Sequence, residues 1–187
     1  MQGISKDIIS KAAKGDIGAF EKIYLQMNSF VFNVALRIAG NKEDAKEIAQ
    51  DVFIKLYRKL SGFMFQSSFK TWVYRITANT AINTAKKAQR QGKNMLSYDD
   101  DIQLKKQIYS ASSGAEENAA SQLLGRLLNS LDPDQRACVS LRSIEGLSYK
   151  QISEVLNVNI NTVRTRLRRA REFMMKHFDK GGKRYEV

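Results

Sequence analysis

Proline occurs once in the 187 residues, at Pro133, and that scarcity limits the folds open to the chain more than any other feature. Proline breaks helix interiors and punctuates turns, so a chain nearly free of it can run long helices joined by short loops. Apolar residues recur at three and four residue spacing along most of the length, and alternating β-branched runs are rare. The expectation is an all-α fold without strands. "DIGAFEKIYLQMNSFVFNVALRIAG" predicts a long amphipathic helix ending near Gly40. "NKEDAKEIAQDVFIKLYRKLSG" predicts a second, capped by Asn41 and closed before Gly62, and "SSFKTWVYRITANTAINTAKKA" a third. Together they predict a helical bundle within residues 1–90.

Between 91 and 117 the periodicity fades into "GKNMLSYDDD" and "SASSGAEEN". Serine, glycine and acidic groups there leave too little apolar surface to offset the entropy of ordering, which predicts a flexible linker. The acidic triplet Asp99, Asp100 and Asp101 has no second ligand cluster beside it, so it is read as solvated and no metal site is expected. Apolar spacing returns over 118–187, a second small helical domain. In "DPDQ", Asp132 can cap a helix with Pro133 in its first turn and Gln135 reaching back; that helix should run to Gly146. "SYKQ" repeats the device with Ser148 and Gln151, opening a helix of about two turns that stops near Asn157. Asn159 then caps a last helix.

That last helix contains "NINTVRTRLRRARE", five arginines in fourteen residues. A helical wheel puts Val163, Leu167, Ala170 and Met174 on one side with Ile160 beside them, a stripe for the core. Asn161, Thr165, Arg168 and Arg169 fall opposite, flanked by Thr162, Arg164, Arg166 and Arg171, and no acid balances them before Glu172. Solvated helices intersperse their signs. A two-turn helix, a tight turn and a longer basic helix make a helix-turn-helix, whose second helix enters the major groove of DNA. Arginine can grip a guanine edge bidentately or neutralise phosphate, and the residues alone leave both roles open for Arg164, Arg168 and Arg169.

The charge balance agrees with a polyanionic partner. Lysine and arginine number 31 against 19 acidic residues, a net +12, and the excess sits in two basic blocks either side of the acidic 91–117 segment. Other classes fare poorly. One histidine, His177, one cysteine, Cys138, no phosphate-cradling glycine loop and no paired ligands at metal spacing argue against an enzyme, a metal or a cofactor. The lone cysteine, the lack of a signal-peptide pattern and apolar stretches too short to span a membrane lead to the expectation of a cytoplasmic protein.

Two further faces stand out. In the second helix Ala45, Ile48, Ala49, Val52, Phe53 and Leu56 point inward, while Glu47, Gln50, Asp51, Ile54 and Arg58 line the opposite side. An outward Ile54 amid polar groups suits a protein partner. In "FMFQSSFKTWVYRITANTAIN", Phe63, Phe65, Phe69, Trp72 and Tyr74 lie close to Lys70, Arg75, Asn79 and Asn83. Aromatic rings beside amides and cations can stack and read unpaired bases, although spacing assigns most of these rings to the core and leaves Phe65 and the polar loop as the contacts.

The order of these motifs resembles one known family, the extracytoplasmic-function (ECF) sigma factors of bacterial RNA polymerase, over nearly the whole chain. "GDIGAFEKIY" looks like the family's opening and "AKEIAQDVFIKLYRKL" like its polymerase-binding helix. "SSFKTWVYRITANTAIN" resembles its promoter-melting segment and "LSYKQISEVLNVNINTVRTRLRRARE" its C-terminal helix-turn-helix. The resemblance implies that residues 1–90 form sigma domain 2, docking on the polymerase β′ clamp coiled coil through Glu47, Gln50, Asp51, Ile54 and Arg58. It implies that Phe65, Gln66, Ser67, Ser68, Lys70, Arg75, Asn79 and Asn83 capture flipped bases of the minus-ten element. Domain 4, over 118–187, would bind the β flap and place Asn161, Thr162, Arg164, Thr165, Arg166, Arg168 and Arg169 on the minus-thirty-five element. The 91–117 linker would run through the polymerase channel. An anti-sigma protein, often membrane-tethered in this family, is a further implied partner, and no covalent chemistry is implied. The alternative, a stand-alone helix-turn-helix regulator, leaves the Ile54 face and the aromatic loop idle. One departure from the pattern, Asn157 where the family often has glycine near the turn, is tolerable because asparagine accepts a left-handed backbone.

Overall fold

A computed structural model of the chain describes residues 4–91 and 125–182, with side chains as far as His177. The expected linker, its acidic triplet and the helix expected to begin near Ala119 lie wholly or partly outside the described residues. Every regular element among the described residues is helical. Helix α1 spans Lys6–Ala13, α2 Ile17–Ala39, α3 Lys42–Lys59 and α4 Phe69–Arg90, with a 3-10 turn at Leu60–Gly62. After a helical turn over 125–129 come α5 (Pro133–Val139), α6 (Tyr149–Leu156) and α7 (Ile160–Gly182).

Polar caps set most of the helix starts. Asp16, Asn41 and Ser68 each accept a hydrogen bond from the backbone amide three residues on, a contact that stabilises a helix by about 1 kcal/mol. Ser148 and Gln151 form the reciprocal box that "SYKQ" predicts, and Asn159 Oδ1 accepts from Asn161 N at 2.8 Å. Asp132 caps α5 through the amide of Asp134, at 2.9 Å, one residue earlier than expected. Two left-handed residues end helices: Gly40 (φ 89°) closes α2, and Asn157 (φ 52°) closes α6 in glycine's stead.

The expected end at Gly146 holds, but by a different route. After Val139 the chain widens into a π-helical turn over Ser140–Ile144, in which Glu145 N donates to Ser140 O. Helix α1 is not among the helices that the apolar spacing predicts; the Ser5 hydroxyl, accepting from Ile8 N, and buried Ile9 and Ala12 define it.

Helices α2, α3 and α4 pack pairwise into a first module, and α1 lies against α2 and the 3-10 turn. Ile23, Val31, Ile38, Ile48, Val52, Leu56, Leu60 and Val73 are completely shielded there. In the second module α5, α6 and α7 enclose Leu141, Ile152, Val155 and Val163. The two modules are in contact with each other: α4 packs against α5 and α6, α2 against α5, and a single cluster of buried apolar residues runs through both.

Candidate nucleic-acid interface

Helix α7 presents the face that its periodicity predicts. Val163, Leu167 and Ala170 are buried and Ile160 and Met174 of the expected stripe are half-buried, whereas Asn161, Arg164, Arg168, Arg169 and Arg171 are exposed and Thr162 and Thr165 half-buried. Arg164 donates to Asn161 Oδ1 at 2.8 Å, and Arg168 pairs with Glu172 at 2.7 Å. These contacts hold the guanidinium groups along the outer surface without hiding them; exposed pairs of this kind are worth under about 1 kcal/mol and yield readily to a phosphate or a base. Arg166 stands apart. It turns back toward α5, where Asp134 binds it at 3.0 Å, and its side chain is 22% exposed. Arg166 also borders Cys138, whose thiol is pushed up to about 11 by burial, with Arg166 opposing that shift.

The loop between α3 and α4 carries the second predicted group. Phe63, Phe69 and Trp72 make one ring cluster, with centroids 5.0 to 5.8 Å apart, and Phe65 leans on Phe63 at 4.8 Å. Phe65 is 42% exposed and adopts φ 55°, a left-handed backbone that costs a bulky residue about 1–2 kcal/mol. Residues held in such sparsely populated backbone regions cluster at ligand clamps and active sites. Gln66 is open to solvent and Ser67 half-buried, while Ser68 is occupied in capping α4 through Thr71 N. Along α4, Arg75 and Asn83 are exposed and Asn79 is half-buried. Lys70 lies 5.2 Å from the Phe30 ring and 5.7 Å from that of Tyr74, its charge still in solvent. Two neighbours escaped the sequence reading: Met64, 74% exposed, and Lys6 of α1, whose ammonium sits 6.0 Å from the Phe65 ring.

On α3, Glu47, Gln50, Asp51 and Arg58 are exposed, as is Ile54, and the six predicted inward residues are all buried. Tyr57, which sequence reading passed over, is exposed beside Ile54 and packs edge-on against Phe20 of α2. Among the described residues no cluster of histidine, cysteine and acidic side chains could hold a metal, and no helix is long and apolar enough to cross a membrane.

Comparison with known proteins bears on both faces. Residues 23–91 match the family model for sigma-70 region 2 and residues 121–174 that for sigma-70 region 4. The ECF RNA polymerase sigma-E factor of Escherichia coli K12 is 32% identical over 174 residues, covering 88% of this chain and 89% of that protein. The chain belongs to the ECF sigma factors. The RNA polymerase sigma-H factor of Pseudomonas aeruginosa is 30% identical over 173 residues, covering 89% of this ECF sigma factor and 90% of its own length. A solved structure with the same fold is that of the sigma factor RpoE with the anti-sigma factor NepR from Bartonella quintana. It has a TM-score of 0.61 at 20% identity and covers 87% of this chain and 98% of that one. Like its relatives, this sigma factor is a transcription initiation factor that directs RNA polymerase to promoters.

Proposed function

We propose that the two modules divide promoter recognition between them. Residues 1–90 act as domain 2: the α3 face of Glu47, Gln50, Asp51, Ile54 and Arg58, extended by Tyr57, seats the chain on the polymerase clamp coiled coil. The loop around Phe65, with Lys70, Arg75, Asn79 and Asn83, traps bases of the minus-ten element once they leave the stack. Residues 118–187 act as domain 4, binding the flap and laying α7 in the major groove of the minus-thirty-five element. The 91–117 segment joins the two through the polymerase channel.

Melting then needs no covalent chemistry. Unstacking a base costs a few kcal/mol, and pockets that bind only the displaced strand offset that cost through stacking and phosphate neutralisation. An anti-sigma protein is the natural regulator, and both chain and polymerase work in the cytoplasm. The observation that carries this account is the exposed row of Asn161, Arg164, Arg168 and Arg169 on a capped helix-turn-helix, opposite buried Val163, Leu167 and Ala170.

The experiment is run-off transcription on fragmented genomic DNA with purified core polymerase, with and without the full chain. New discrete transcripts should depend on the chain, and an Ile54→Glu variant should lose about tenfold or more of this activity, as expected for a central interface residue. Equal transcript profiles in all three reactions would refute the assignment.

A further inference from the structure

Helix α1 packs on the 3-10 turn at Leu60–Gly62, the residues that lead directly into the loop of Phe63 and Phe65. Ile9 and Ala12 are buried, and Ile4 and Ile8 are half-buried against the same apolar cluster, so the first turn of this short helix is seated as firmly as the rest. Ser5 Oγ accepts from Ile8 N at 3.3 Å and fixes where the helix begins. These contacts leave Lys6, the first residue of α1, exposed, with its ammonium 6.0 Å from the centre of the Phe65 ring.

Neither the helix nor the ring accounts for a charge at this position. A cation in the first turn of a helix opposes the helix dipole. Asp7, the acid beside it, is paired with Lys11 one turn on, at 2.9 Å, and among the described residues no carboxylate forms an ion pair with Lys6. An ammonium at the outer limit of cation–π range, over a ring still open to water, gains little from that ring. Phe65, for its part, is held in a left-handed backbone and backed by Phe63 at 4.8 Å, yet remains exposed. Together they present an aromatic surface with an unpaired positive charge beside it.

One nucleotide of a single strand complements both groups: its base has an apolar face for the ring, and its phosphate a charge for the ammonium. Lysine suits the second role because it is a compact point charge on a flexible stem, able to leave the ring and follow the backbone. A free phosphate would use only the cation, and duplex DNA keeps its base faces stacked and out of reach of Phe65. We propose that Lys6 and Phe65 form a nucleotide clamp: Phe65 stacks on a captured base of the opened promoter strand, and Lys6 neutralises a phosphate next to that base. Helix α1 is thereby part of the strand site. The proposal rests on the reading of the Phe65 loop set out above and adds to it a residue and the group that the residue binds.

The test uses holoenzyme assembled from core polymerase and the full-length chain, with a forked probe taken from a promoter mapped by run-off transcription. The probe is duplex through the minus-thirty-five element and carries only the non-template strand across the minus-ten element. Lys6→Gln should weaken binding by about fourfold at roughly 0.15 M salt and reduce the slope of log Kd against log salt by about 0.7, the share of one phosphate on a single strand. Lys6→Arg should keep the wild-type affinity and slope. So should Lys11→Gln, which removes the same charge from the same helix at a position already engaged by Asp7. Wild-type affinity in Lys6→Gln, or weaker binding with the wild-type salt slope, would overturn the clamp.

A change in the probe locates the contact. Neutral methylphosphonate linkages, placed one at a time along the single strand, should reproduce the loss at one position with wild-type chain, and that same linkage should cause no further loss with Lys6→Gln. Losses that are the same in both chains at every position would also overturn the proposal. Failure of the underlying reading looks different: if Phe65→Ala binds the forked probe as wild type does, the loop is not the strand site and the clamp falls with it. Weakened binding in Phe65→Ala with none in Lys6→Gln strikes the clamp alone.

Discussion

Arg164 and Arg166 are two residues apart on one helix and meet different surroundings. Arg164 lies on the outer face of α7, whereas Arg166 reaches Asp134 on α5. Periodicity could place both near the polar side but could not anticipate Asp134, thirty-two positions earlier, as a partner. Arg164→Ala and Arg169→Ala should each weaken binding to a minus-thirty-five duplex by about 1–3 kcal/mol, the value of a good base contact or a strong phosphate contact. Arg166→Ala should cost far less in the same assay, and a titration of the variants against labelled promoter duplex ranks them. Cys138 permits an independent check on its surroundings. Burial raises its thiol to about 11, so near neutral pH it should remain unmodified by maleimide in native chain and react fully in denaturant. Rapid native labelling would mean that α5 is not packed as described.

At the level of elements, the helix pattern was legible almost throughout, because caps and apolar spacing are local signals. Asn41, Ser148 and Gln151 mark helix starts by their own chemistry, and Gly40 and Asn157 mark ends by their tolerance of positive φ. The π-helical turn was not legible, since Ser140–Ile144 has the composition of ordinary helix and the turn widens where Glu145 meets Arg37 and Tyr74. Nor was the role of Arg136, whose guanidinium donates to the Ile38 and Ala39 carbonyls of a distant helix as well as to Asn129 and Leu131 nearby, with Asp132 favouring its charge through space. Replacing it with Met leaves those carbonyls without a charged donor and should lower stability by about 2–4 kcal/mol, or roughly 5–15 °C in Tm by calorimetry. At Asn157, a change to Val forces a β-branched residue into φ 52° and should cost about 1–2 kcal/mol, while Gly should be close to neutral. Equal melting curves for the two Asn157 variants would contradict the turn geometry.

For the whole molecule, two helical modules follow from sequence: one has a helix-turn-helix, the other an exposed aromatic loop and an α3 face with an outward Ile54. Their docking on one another does not. It depends on contacts between residues far apart in the chain, such as Glu145 with Arg37 and Tyr74 and Arg136 with Ile38 and Ala39, which local spacing does not encode. The central claim is that this chain lets polymerase hold one promoter strand open, and permanganate footprinting tests it most directly. Holoenzyme assembled with the full chain should make thymines reactive between the minus-ten element and the start site, with the signal lost when core polymerase or the chain is omitted and reduced in a Phe65→Ala variant. A promoter that is bound and transcribed with no chain-dependent reactive thymine would contradict the account.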